Sequence, residues 1–129
     1  ESKAFHTQDG YGIRQLIEAG IIVAVISGRK SKAVSIRMKE LGIKDVYLGC
    51  KDKEVAFQTL LHTYSIDQML SAFVGDDIPD IKILKVVGLP IAVANARPEV
   101  KAIAKYITKN TGGSGAIREI TDLILKQSF

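Results

Sequence analysis

Tryptophan is absent from this 129-residue chain, cysteine occurs once, proline three times, and the aromatic side chains are four phenylalanines and four tyrosines. A lone thiol, Cys50, excludes an intramolecular disulfide and suits a reducing compartment. No apolar run approaches the roughly 18–20 residues that cross a bilayer. The opening Glu1-Ser2-Lys3-Ala4-Phe5-His6 has no apolar stretch and does not read as a signal peptide. Those absences predict a cytoplasmic protein without a membrane partner. The net charge of +4 permits an anionic ligand without selecting one. Basic residues are scattered and aromatics few, so the stripe that marks a nucleic-acid binder is missing and nucleic acid is not an expected partner.

What is present is ordinary globular material: 47% hydrophobic and 25% charged residues exclude disorder. At roughly 150 residues per domain, residues 1–129 are expected to form a single domain. A globule of this size buries roughly two-thirds of its unfolded surface and needs neither disulfide nor metal to fold. The β-branched run Ile21-Ile22-Val23-Ala24-Val25-Ile26 reads as a buried strand. Val46-Tyr47-Leu48, Ala72-Phe73-Val74, Ile91-Ala92-Val93 and the shorter Tyr106-Ile107 are four more. Between them lie helical stretches: Asp9 to a stop at Gly20, Ser31–Leu41 to a stop at Gly42, and Asp52–Tyr64 with Val55, Ala56, Leu60 and Tyr64 stacked. Further helices are predicted from Pro79 to Gly88, from Pro98 to Ala104 and from Ala116 to Lys126. The alternation predicts an α/β fold, a three-layer, Rossmann-like, mostly parallel sheet with helices on both faces.

Ligands of such sheets sit beyond the carboxyl ends of the strands, so the residues after each apolar run carry the chemistry. After the first come Ser27, a hydroxyl donor, Gly28, which lets a backbone N–H approach an anion, and Arg29, a fork for carboxylate or phosphate. After the second, Lys51 and Lys53 flank Asp52 at a helix start, an electrostatically awkward place for a cation unless an anion is held there. After the third, Asp76, Asp77 and Asp80 form a hard-oxygen cluster suited to Mg²⁺. Each segment alone is also ordinary turn and capping material. Together they assemble hydroxyl, cation and carboxylate at successive strand ends, which is what metal-assisted phosphoryl transfer requires.

With those residues in view, the chain resembles the haloacid dehalogenase phosphatase superfamily, in particular its small capless branch acting on sugar-acid phosphates. The resemblance runs through Phe5 to Ile13, Ile26-Ser27-Gly28-Arg29, Leu41-Gly42-Ile43, Asp52-Lys53, Val74-Gly75-Asp76-Asp77 with Asp80, Val93-Ala94, and Gly112-Gly113-Ser114-Gly115-Ala116-Ile117-Arg118-Glu119. It implies that Ser27 hydrogen-bonds the transferring phosphoryl group and that Lys53 neutralises it. It further implies that Asp76 ligates Mg²⁺, that Asp77 and Asp80 orient the metal shell and Lys53, and that Gly28 and Arg29 help hold substrate. The implied substrate is a sugar-acid phosphate, 3-deoxy-D-manno-octulosonate 8-phosphate first, in lipopolysaccharide biosynthesis, and the implied assembly is a homotetramer.

The departures are informative. The superfamily's nucleophile is the first Asp of an Asp-x-Asp-Gly motif on the first strand, and this sequence has none. The nearest string, Asp52-Lys53-Glu54, opens a helix. A few tens of residues upstream, carrying a central strand and that motif, are therefore expected, and the chain as written cannot form the aspartyl-phosphate. Where the family has Arg-Asp-Gly this chain has Gln8-Asp9-Gly10, and Ser114 replaces a basic residue, both weakening contacts to an acidic sugar phosphate. His6 and His62 read as structural or solvated, since the chemistry uses carboxylates. Two other readings compete: a degenerate, non-catalytic phosphatase-like oligomerisation module, and a receiver-like phospho-acceptor domain, whose acid cluster should come earlier in the chain.

Overall fold

The computed structural model describes residues 7–127. In chain order the elements are α1 (Thr7–Glu18), β1 (Ala24–Ile26), α2 (Lys32–Glu40), β2 (Asp45–Tyr47), α3 (Lys53–Tyr64) and β3 (Ala72–Gly75). They continue as α4 (Ile81–Leu84), β4 (Leu89–Ala92), α5 (Pro98–Ile103), β5 (Tyr106–Ile107) and α6 (Ala116–Gln127). Single 3-10 turns occupy Gln68–Leu70 and Ile78–Asp80. Every strand pairing is parallel, so the fold is α/β as the alternation predicts. The pairing falls into two sheets, β1-β2 and β3-β4-β5. They belong to two compact units, residues 7–50 with 112–127, and Lys51–Thr111. Among the described residues no helix is long and apolar enough to cross a membrane.

In the first unit β1 runs beside β2 from Ala24 opposite Asp45 to Ile26 opposite Tyr47. The predicted six-residue strand shrinks to three because β2 offers no partner before Asp45, and Ile22 is left 45% exposed. The glycine stops act as the sequence suggests. Gly20, at φ 85°, donates to Ile17 O, and Ile21 N–H reaches back to Leu16 O, both at 3.0 Å. Gly42 and Ile43 close α2 the same way on Lys39 and Met38. Arg14 Nη1 donates to Leu41 O at 3.0 Å, placing a cation on the last carbonyls of α2. α1 packs against α6 so closely that a Cβ on Gly12 would overlap Thr121 Oγ1. On α2 Val34 and Met38 are only half-buried, and the unit's core is Leu16, Leu41, Ile43, Ala116 and Ile120.

In the second unit β4 lies between β3 and β5, with Gly75 opposite Ala92 and Ile91 opposite Tyr106. Ile83, Leu84, Ile91, Ala92 and Val100 are withdrawn from water, and Phe57 meets Phe73 edge-on at 6.3 Å. Burying Phe57 turns α3 about its axis, so its inward face is Ala56, Phe57 and Leu60, and Val55, expected inside, is 60% exposed. The helix expected from Pro79 to Gly88 is a 3-10 turn followed by the single turn of α4. Gly88 is no helix stop: it is where the chain passes so close to Met69 that a Cβ would overlap the Met69 carbonyl oxygen.

Candidate active site

The acidic loop begins where β3 ends. Asp76 and Asp77 follow Gly75, and the chain tightens into the 3-10 turn that delivers Asp80 to the interior, with 2% of its surface exposed. Asp77 caps that turn, its Oδ1 accepting from Ile78 N–H at 2.7 Å. Asp80 Oδ2 accepts from the amides of Asp76 at 3.0 Å and Asp77 at 3.3 Å. Its other oxygen accepts from Lys53 Nζ at 2.8 Å, within the range of a strong charge-assisted bond. Lys53 is the first residue of α3, set by its N-cap Asp52, whose Oδ1 accepts from the amides of Glu54 and Val55. The cation that looked misplaced at a helix start is thus neutralised across the unit by a carboxylate 27 positions later. A second tether comes from β4's loop, where Arg97 N–H donates to Asp76 O at 2.9 Å.

These contacts divide the three acids. Burial alone would push Asp80 up, but the Lys53 ammonium and the two amide donors hold its carboxyl below the ordinary value. Asp76 goes the other way: partial loss of water raises it first, then the negative charge of Asp80 beside it and of Asp77, with Lys53 opposing. Among the described residues Asp76 and Asp77 form no ion pair. Their donor chemistry fits a hard divalent cation: partial burial, and then the negative charge of Asp80, hold the Asp76 carboxyl above its ordinary value, and a bound cation would offset both. No three His, Cys, Asp or Glu groups among the described residues converge into a complete cage. Asp80, counted in the sequence with the hard-oxygen cluster, faces Lys53 and the loop amides with both of its oxygens.

In the other unit, Ser27, Gly28 and Arg29 follow β1. Ser27 extends the ladder, its N–H donating to Tyr47 O at 2.8 Å and its carbonyl accepting from Cys50 N–H at 2.9 Å. Its Oγ accepts from Arg29 N–H at 3.2 Å and keeps its own proton to donate. Gly28 and Arg29 are exposed, and Gly28 has room for a Cβ, which would sit 3.7 Å from Cys50 O. Ser31 caps α2 through Val34 N–H. His62 is exposed on α3, and His6 lies outside the described residues. Sequence reasoning missed the main-chain amides of Asp76, Asp77 and Arg97, because side-chain patterns carry no signal for backbone donors.

A sequence profile of haloacid dehalogenase-like hydrolases matches residues 50–120. The chain is 46% identical over 125 residues to the 3-deoxy-D-manno-octulosonate 8-phosphate phosphatase of Yersinia pestis, covering 97% of this chain and 67% of that protein. The Escherichia coli K12 phosphatase of the same name is also 46% identical, with 97% and 66% covered. The chain therefore spans about two-thirds of the length of the curated relatives it matches. Among solved structures, the Moraxella catarrhalis phosphatase of that name, in complex with magnesium, phosphate and KDO, superposes with a TM-score of 0.94 at 44% identity, covering 98% of this chain and 72% of that one. The cobalt-bound Haemophilus influenzae deoxy-D-mannose-octulosonate 8-phosphate phosphatase gives 0.93 at 39% identity, covering 98% and 74%.

Proposed function

The chain belongs to the haloacid dehalogenase-like hydrolases, and from that membership we propose that it forms the larger part of a Mg²⁺-dependent phosphomonoesterase acting on a sugar-acid phosphate, 3-deoxy-D-manno-octulosonate 8-phosphate first. The observation that carries the reading is the Lys53–Asp80 pair at 2.8 Å, whose carboxylate also holds the amides of the loop bearing Asp76. Lys53, paired with Asp80, meets the anionic head of the ester. Ser27 donates its hydroxyl proton to a phosphoryl oxygen, and Arg29 takes an anionic group of the sugar acid in its fork. Asp76, with Asp77 next to it, holds Mg²⁺, which when bound offsets the charge that develops on the phosphoryl oxygens. The sequence contains no Asp-x-Asp-Gly string, so the carboxylate that accepts the phosphoryl group is not one of these 129 residues. The resemblance also implies a homotetramer, which light scattering of the intact protein checks by a mass near four protomers.

The test is a chimera joining this chain to the part of the Yersinia pestis relative that it does not span. The chimera is expected to release phosphate from 3-deoxy-D-manno-octulosonate 8-phosphate with Mg²⁺ and to stop on chelation. A folded chimera that binds the ester without hydrolysing it would instead favour a non-catalytic module.

A further inference from the structure

We propose that Gly75 is a positioning residue: the missing side chain is what lets Asp80 reach Lys53 Nζ and the amides of Asp76 and Asp77 at once. Gly75 ends β3, is buried, and is not among the glycines with positive φ, so its backbone conformation is open to any residue. The constraint is space. A Cβ at this position would lie 2.8 Å from Asp80 Cβ, 3.2 Å from Asp80 Cγ and 2.9 Å from Leu84 Cδ1. Leu84 Cδ1 is the tip of a flexible chain, although a packed one, but Asp80 Cβ is fixed to the backbone of a hydrogen-bonded turn. β3 has little freedom to retreat, because Gly75 pairs with Ala92 and its carbonyl accepts from Val93 N–H at 3.4 Å. A methyl group at 75 therefore displaces Asp80, and that single carboxylate governs both the place of Lys53 and the conformation of the loop that carries Asp76.

The activity arm rests on the function proposed above; the structural arm does not. In the intact protein, Gly75→Ala is expected to accelerate hydrogen exchange at the amides of Asp76 and Asp77 while Ile91 and Val100 keep their protection, and to lower kcat about 10- to 100-fold. Unchanged exchange at both amides, or an unchanged kcat in the folded variant, overturns the proposal. Asp80→Gly removes the Asp80 atoms that the methyl group would meet and leaves only the Leu84 side-chain tip, so adding Gly75→Ala to that variant is expected to change melting temperature and exchange much less than it does in the parent. If Gly75→Ala alone does not fold, the double variant must; failure of both overturns the proposal. A parent protein without phosphatase activity would count against the proposed function and leave the exchange comparison to decide the role of Gly75.

Discussion

Three aspartates within five positions are indistinguishable as letters, yet they have three different surroundings. The buried one, Asp80, balances Lys53, so Lys53→Met leaves an interior carboxylate that keeps its two loop amides but loses its counter-charge. A fully buried pair broken this way costs about 3–5 kcal/mol; because Lys53 keeps a fifth of its side chain in water, a loss of about 1–3 kcal/mol is expected in denaturant unfolding. The opposite shifts of Asp76 and Asp80 give opposite pH signatures. A carboxyl held low in the folded protein adds stability that is complete above its unfolded value of 3.8 and disappears as pH falls through the lower folded value, which describes Asp80. Asp76 is held high, so the native state binds its proton more readily and stability falls as pH rises from 3.8 through the raised value. Without divalent metal, Asp76→Asn is therefore expected to raise the melting temperature at pH 7 and to leave it unchanged near pH 3. A lower melting temperature at pH 7 would contradict this assignment. The sequence marked the cluster but could not say which acid turns inward, since that depends on Lys53, 27 residues away.

Helix ends were more legible than helix faces. Gly20 and Gly42 were readable as stops because only glycine enters the left-handed region freely, and both adopt φ 85°. The same closure ends α3 with no glycine to announce it: Ser65 stands at φ 52°, its N–H on His62 O and Ile66 N–H on Leu61 O. Ser65→Gly removes that backbone strain against some gain in unfolded-chain freedom and should stabilise the protein by about 0.5–1 kcal/mol, read as a shift in denaturant midpoint. Asp9 reads in the sequence as the opening of α1, yet it lies inside that helix, and its Oδ1 accepts from Arg118 N–H at 2.9 Å in the first turn of α6. One helix thus supplies the other's cap across 109 positions, a relation that local pattern cannot reveal. Asp9→Ala should cost about 1 kcal/mol and fray the start of α6, seen as faster amide exchange at Arg118. The α3 face was misread because alternation of apolar letters does not weigh Phe57 above Val55, whereas burial does.

At the scale of the whole chain, the alternation of short β-branched runs with helices sufficed for the fold class, because parallel pairing of sequential strands demands crossovers. The candidate site residues do stand beyond strand ends, as the sequence places them: Ser27 to Arg29 follow β1, and Asp76 to Asp80 follow β3. The lengths of the strands were not legible, since each ladder extends only as far as its partner, as Ile21 to Val23 illustrate. The most direct test of the account is phosphate release from 3-deoxy-D-manno-octulosonate 8-phosphate by the active chimera and its Asp76→Ala variant, assayed side by side with Mg²⁺ and matched for folding. The substitution is expected to lower kcat by at least about a hundredfold. A variant that keeps the parent's rate would contradict that expectation.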